Sequence, residues 1–207
     1  MSSSTQNTAA KPGAAVAKVA TGVRGLDTVL DGGLPAGRTT LIRGGAGTGK
    51  TVLALEFLYR NAAEGRPGVF VSFEEHEDDL RLNAAALGLD VPALEAAGRL
   101  TCYHAAVPPD AVQAGQFSIQ GLLAVLDGQM RAVQAELVVI DAADVLMRVF
   151  GDAERERNEL SLLHDWLRRR GLTAVLTAKT TNEGRPHYPF LTFAADCVLY
   201  LDQRMRG

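Results

Sequence analysis

Cysteine is scarce: Cys102 and Cys197 are the only two in 207 residues, far apart and without a CxxC partner. That argues against a disulfide framework and for a reducing compartment, with both thiols read as buried and structural. No uncharged apolar run approaches the ~20 residues of a membrane helix, and the N-terminus lacks the basic and apolar blocks of a secretion signal. A cytoplasmic protein with no membrane partner is expected. Excess positive charge is also lacking. The formal net charge is −3 and the isoelectric point about 5.8, so no global basic field points to nucleic acid. No repeat with a period of ~20 to 50 residues is visible.

What is present fits one α/β domain with a sizeable core, since 47% of the residues are hydrophobic. Residues 1–20, rich in Ser, Thr, Ala and Gln with a Lys-Pro-Gly break, read as a disordered tail. Residues 21–207 read as the folded domain.

The most specific stretch is Gly44-Gly45-Ala46-Gly47-Thr48-Gly49-Lys50-Thr51, which fits the phosphate-cradling pattern G-x-x-x-x-G-K-[ST] at every position. Polyphosphate is dense negative charge, best held by backbone N–H groups converging from a loop with few side chains in the way. Lys50 then reaches the outer phosphates, Thr51 offers its hydroxyl to Mg²⁺, and the helix opening through Val52 aims its positive end at the anion. A flexible glycine loop is the competing reading. Context favours the phosphate site, because the β-prone Thr39-Thr40-Leu41-Ile42 precedes the loop and an apolar helical stretch, Val52 to Tyr59, follows it.

Further along, Val69-Phe70-Val71-Ser72-Phe73 reads as a buried strand that delivers Glu74 and Glu75 to the sheet edge where α/β proteins bind ligands. Glu77, Asp78 and Asp79 read as ordinary first-turn carboxylates of the next helix. Leu100 to His104 reads as a strand, and Ile119, Leu122, Leu123 and Leu126 form a helical stripe. Leu137-Val138-Val139-Ile140-Asp141 has the pattern of a buried parallel strand ending in a carboxylate, with Asp141 placed to hold Mg²⁺ or orient its water shell. A capping role is the alternative for Asp141. Asp152 to Arg170 reads as an amphipathic helix with Trp166 in the core, followed by strands at Thr173 to Ala178 and Cys197 to Leu201.

Taken together, the chain from Thr21 to Leu201 resembles the KaiC branch of the RecA-like P-loop ATPases. The resemblance rests on Gly25-Leu26-Asp27, Gly32-Gly33-Leu34-Pro35-Ala36-Gly37-Arg38, the phosphate loop, Gly68 to Glu75, Val138 to Asp141 and Ala195-Asp196-Cys197-Val198-Leu199. It implies a RecA-like, twisted, mainly parallel sheet flanked by helices on both faces, with Mg-ATP as ligand. It also implies hexameric rings with ATP between subunits, and protein partners of a signalling or clock type. Glu74 and Glu75 match the adjacent glutamates among which the family keeps its catalytic base, acting with Lys50. Thr177 and Lys179 fall where related ATPases keep γ-phosphate-sensing residues, and a solvated loop is the equal alternative for Lys179.

The family continues past its last strand into a hairpin with a Lys-x-Arg-Gly stretch that reaches the neighbour's ATP, whereas this sequence stops at Arg204-Met205-Arg206-Gly207. Either the chain is a fragment or its subunits lack those cations, and slow hydrolysis is expected. The family's phosphorylation sites have no counterpart here, so kinase activity is not carried over. Two further readings remain: a DNA-dependent motor using loops near 108–117 and 182–190, which hold few positive charges, and a nucleotide-binding scaffold without turnover.

Overall fold

The computed structural model describes residues 16–107, 118–150, 152–180 and 188–203. Of the DNA-loop reading, 108–117 lies wholly and 182–190 largely outside these, as do residues 1–15, 151 and the closing 204–207. The expected tail of residues 1–20 needs one correction. Strand β1, Lys18–Val19, pairs antiparallel with β2, Leu34–Pro35, so residues 18 and 19 belong to the ordered fold. Val19 is buried, which offsets the entropy of fixing this short segment.

Between them lies helix α1, Leu26–Val29. Its Asp27 carboxylate accepts from the Thr21 backbone N–H at 2.6 Å and the Thr21 hydroxyl at 2.7 Å. Those bonds hold its carboxyl below the usual range although burial opposes them.

Among the described residues the main sheet has six strands in the order β5-β4-β6-β7-β3-β8, and every neighbouring pair is parallel. The strands are β3 (Thr39–Gly44), β4 (Gly68–Ser72), β5 (Leu100–His104), β6 (Leu137–Asp141), β7 (Thr173–Lys179) and β8 (Cys197–Leu201). Parallel strands need crossovers, and helices supply them on both faces. Helices α2 (Lys50–Ala63), α3 (Glu77–Ala86) and α4 (Val91–Ala96) cover one face, against Ile42, Phe70, Val139 and Val175. Helices α5 (Ile119–Val133), α6 (Ala143–Arg148) and α7 (Ala153–Arg169) cover the other, against Leu41, Val71, Ile140 and Leu176. The strand period of two thus divides each apolar run between two cores, which is why β4 and β6 carry no polar alternation. A 3-10 helix, Pro189–Ala194, packs beside α7 and leads into β8.

Cys102 is buried, and burial pushes its thiol up to about 12, so it is inert as a nucleophile. Cys197 is only half-buried, on edge strand β8, which corrects the expectation that both thiols are interior. Trp166 does pack on the α5/α7 core, and its indole N–H donates to Asp127 at 2.8 Å. Asp196, in the last family-like motif, accepts from the Thr39 backbone N–H and from Arg38, tying β8 to the start of β3. Among the described residues no helix is long and apolar enough to cross a membrane.

Candidate functional site

Register places the chemistry. Asp141 ends β6 opposite Ser72 of β4, and Lys179 ends β7 opposite Gly44 of β3. The carboxyl ends of four adjacent strands therefore meet the phosphate loop at one rim, the ligand-binding edge of an open parallel sheet.

Backbone geometry shapes the loop. Gly49 caps α2 with φ of 86°, a left-handed value that side chains disfavour. A Cβ on Gly44 would lie 2.5 Å from the Thr48 hydroxyl oxygen and 2.7 Å from the Leu201 carbonyl oxygen, so only glycine lets loop and β8 meet there. Thr48 closes the loop by donating to the Gly45 carbonyl at 3.0 Å. Lys50 is 8% exposed and folds back to donate to the carbonyls of Gly44 at 3.0 Å and Gly45 at 2.7 Å. Burial lowers its proton affinity and Lys179 adds to this, while Asp141, Asp144 and Glu74 oppose it.

Asp141 is 2% exposed. It accepts from the Thr177 hydroxyl at 2.6 Å and the Thr51 hydroxyl at 3.0 Å. Burial pushes its carboxyl up and the nearby Glu75 and Glu74 push the same way, against those two hydrogen bonds. The Thr177 oxygen also accepts the Ala142 N–H at 2.8 Å, at a residue held at φ of 58°. The helix that follows has Ala142 at its N-cap and no side-chain cap bond, so Asp141 is not a cap. Its carboxylate joins the Thr51 hydroxyl in a pair of hard oxygen donors of the kind Mg²⁺ takes.

The two glutamates are held differently. Ser72 accepts from the backbone N–H of both, fixing the turn after β4. Glu74 receives the Lys179 ammonium at 2.6 Å and has Arg148 at 3.9 Å, whereas Glu75 accepts from the Asn83 amide at 3.1 Å. Glu77 does more than complement a helix dipole. It accepts the His104 backbone N–H at 2.7 Å, a bond that leads in holding its carboxyl low.

These residues enclose a cleft of about 330 Å³ lined by Ala46, Gly47, Gly49, Lys50, Thr51, Val52, Glu74, Glu75, Asp141, Asp144, Thr177 and Lys179, among others. Gly44, Gly45 and Thr48 stand behind it as acceptors for Lys50 and as loop closure. A second cleft of about 290 Å³ adjoins it, sharing Thr51, Val52 and Glu75 and adding Leu55, Leu80, Asn83, Ala86 and Leu87. A larger, apolar cavity of about 420 Å³ lies apart, between α7 and the 3-10 helix.

Asp144, Arg148 and Asn83 are site residues that sequence reasoning missed. Asp144 is buried on α6 and accepts the Lys179 backbone N–H at 3.1 Å. No strand pattern marks it. Only its place three residues past Asp141, just beyond the end of β6, could have suggested it.

The family described as "ATPase: KaiC" matches residues 19–207. The Synechocystis circadian clock protein KaiC2 is 36% identical over 189 residues, covering 90% of this chain and 33% of that protein. The circadian clock oscillator protein KaiC of Parathermosynechococcus lividus is 34% identical over 93% of this chain and 36% of its own length. The chain thus spans about a third of the length of these curated relatives. A crystal structure of a KaiC-like protein from Pyrococcus horikoshii OT3 superposes with a TM-score of 0.79 and 32% identity, over 91% of this chain and 82% of that one. The six-stranded parallel sheet is accordingly that of a KaiC-like, RecA-type fold, and the chain belongs to the KaiC family of ATPase domains.

Proposed function

We propose that this domain binds Mg-ATP in the cleft at the phosphate loop and hydrolyses it slowly, its nucleotide state controlling self-assembly or the binding of protein partners. The observation that carries the reading is the convergence of Lys50, Thr51, Asp141, Glu74 and Glu75 on one 330 Å³ cleft. The donor set fits the ion and the anion. The Thr51 hydroxyl and the Asp141 carboxylate suit Mg²⁺, and Lys50 already points its ammonium at acceptors it can exchange for phosphate oxygens. The ion, when bound, supplies positive charge to the phosphate oxygens.

The chain's own residues supply the rest. Loop N–H groups and the α2 N-terminus hold the phosphates, and the adjoining 290 Å³ cleft, apolar at Leu55, Leu80 and Leu87, receives the base. Glu74 or Glu75 orients a water for in-line attack on the γ-phosphorus and takes its proton as the bond to ADP breaks. Lys179 neutralises Glu74 in the ligand-free site, and a γ-phosphate competes for that ammonium. The KaiC family supports hexameric assembly as the setting, and the resemblance to clock proteins supports partners of signalling type.

The test compares ATP binding and phosphate release for the parent, Lys50→Ala and a Glu74→Gln/Glu75→Gln double variant. Lys50→Ala is expected to lose binding, and the double variant to bind but release no phosphate. Equal release from all three refutes the reading.

A further inference from the structure

Arg43 is a fully buried arginine, one residue before the phosphate loop, and nothing above uses it. Its side chain lies on the α5–α7 side of the sheet, opposite the face where Ile42 meets α2. One terminal nitrogen donates to the Tyr188 carbonyl at 2.7 Å and to the Thr192 hydroxyl at 3.2 Å, at and beside the 3-10 helix. Among the described residues, its other two guanidinium nitrogens are buried without a hydrogen-bond partner. Burial disfavours its charge, and Tyr200 and Asp144 only partly compensate. A half-satisfied buried cation is a poor way to stabilise a fold.

Its position suggests another use. Through Gly44, the next residue, the strand end holds Lys50 at 3.0 Å and the Thr180 backbone N–H at 3.1 Å. Asp144, which attracts the guanidinium, accepts the Lys179 N–H and lines the nucleotide cleft. On the other side, the 3-10 helix forms one wall of the 420 Å³ groove through Phe190, Phe193 and Ala194, with Arg157 of α7 stacked 4.7 Å over Phe190. Arg43 therefore stands between the two cavities and bonds to the backbone segment that walls the second.

We infer that Arg43 is a positioning residue that locks the 3-10 helix to the base of the phosphate loop, so that nucleotide in the cleft alters the α7/3-10 groove. The inference rests on the nucleotide reading above. Strand end, β7 terminus and 3-10 helix move as one unit while the guanidinium holds them, and separately once it is gone.

The experiment uses the full chain as parent, Arg43→Met, Arg43→Lys and Thr192→Val, the last removing one acceptor from the far side of the link. ATP affinity, kcat, KM, thermal midpoint and hydrogen exchange of the Leu191 and Ala195 amides are measured with and without Mg-ATP. In the parent, ATP is expected to change exchange at these amides at least about threefold. In Arg43→Met that response vanishes and kcat falls about tenfold, while KM and ATP affinity stay within about threefold and the thermal midpoint does not fall. Arg43→Lys recovers part of both, having a donor for one acceptor. Thr192→Val shows the same losses at smaller size. A parent-like response and kcat in Arg43→Met or Thr192→Val overturns the inference, as does joint loss of ATP binding and thermal stability in Arg43→Met, which marks a merely structural residue. A parent that binds no ATP refutes the nucleotide reading itself, and this inference with it.

Discussion

Thr177→Val isolates the hydrogen bonding that keeps a charge at Asp141. The substitution preserves shape at a site 1% exposed, so packing is nearly unchanged. It removes the 2.6 Å bond donated to the Asp141 carboxylate and the acceptor of the 2.8 Å bond from the Ala142 N–H. Losing a hydrogen bond to a charged group costs about 1.5–3 kcal/mol, and orphaning a buried N–H costs about 1–3 kcal/mol. Because the two losses share one side chain and partly relax together, the expected destabilisation of the ligand-free protein at neutral pH is roughly 2–4 kcal/mol. Against a typical total of about 5–15 kcal/mol, the variant still folds.

The pH dependence carries a sign. Burial raises the Asp141 pKa above its unfolded value, so the folded state binds more protons between the two values, and stability falls as pH rises through that window. Removing the Thr177 bond, which opposes the rise, extends the window upward. The penalty of Thr177→Val should therefore be smallest near pH 3, below the ordinary aspartate value of about 3.9, and grow as the pH rises through that window. Urea midpoints at several pH values in metal-free buffer measure it. A penalty that is the same at every pH, or below about 0.5 kcal/mol at pH 7, refutes the reasoning.

Gly44→Ala should destabilise by about 1–3 kcal/mol and weaken ATP binding, because the new Cβ would meet the Leu201 carbonyl, which is backbone and cannot rotate away; urea unfolding and calorimetry check it. Leu167→Ala, on the buried face of α7, should cost about 2–5 kcal/mol in the same unfolding assay and leave ATP affinity unchanged. For Glu77 the folded pKa is depressed, so its contribution is present above the unfolded glutamate value of about 4.3 and lost as pH falls through the lower folded value. Glu77→Gln should flatten that part of the acid-unfolding curve, and an unchanged curve counts against the His104 bond. Lys179→Met frees Glu74 in the empty site and should weaken ATP binding about tenfold or more; unaltered affinity would show that Lys179 does not meet the γ-phosphate.

Local sequence was sufficient wherever one segment alone sets the chemistry. The glycine-rich loop, the carboxylates that end β6 and follow β4, and the strands themselves are legible because a parallel strand buried on both faces is mostly apolar and ends where its backbone reaches the rim. Thr173–Lys179 and Leu137–Asp141 illustrate this, the second matching its expected bounds. Helix α6 and the 3-10 helix went unread because neither is long enough to show a hydrophobic period. Glu77 looked like a helix-dipole carboxylate because the His104 N–H it serves lies 27 residues away.

The sequence by itself thus determined the local pieces: a glycine-rich turn between strand and helix, a lysine and a threonine at its end, and acids that end or follow two later strands. Only the tertiary structure decided how those acids are used. It bonded Asp141 to Thr51 and Thr177, tied Glu74 to Lys179 and Glu75 to Asn83, and buried Arg43 beneath the loop. The physical reason is range. Strand pattern and loop conformation are set by neighbours in the chain, whereas the partner, burial and charge state of a side chain are set by strands and helices brought together from as far as 158 residues away.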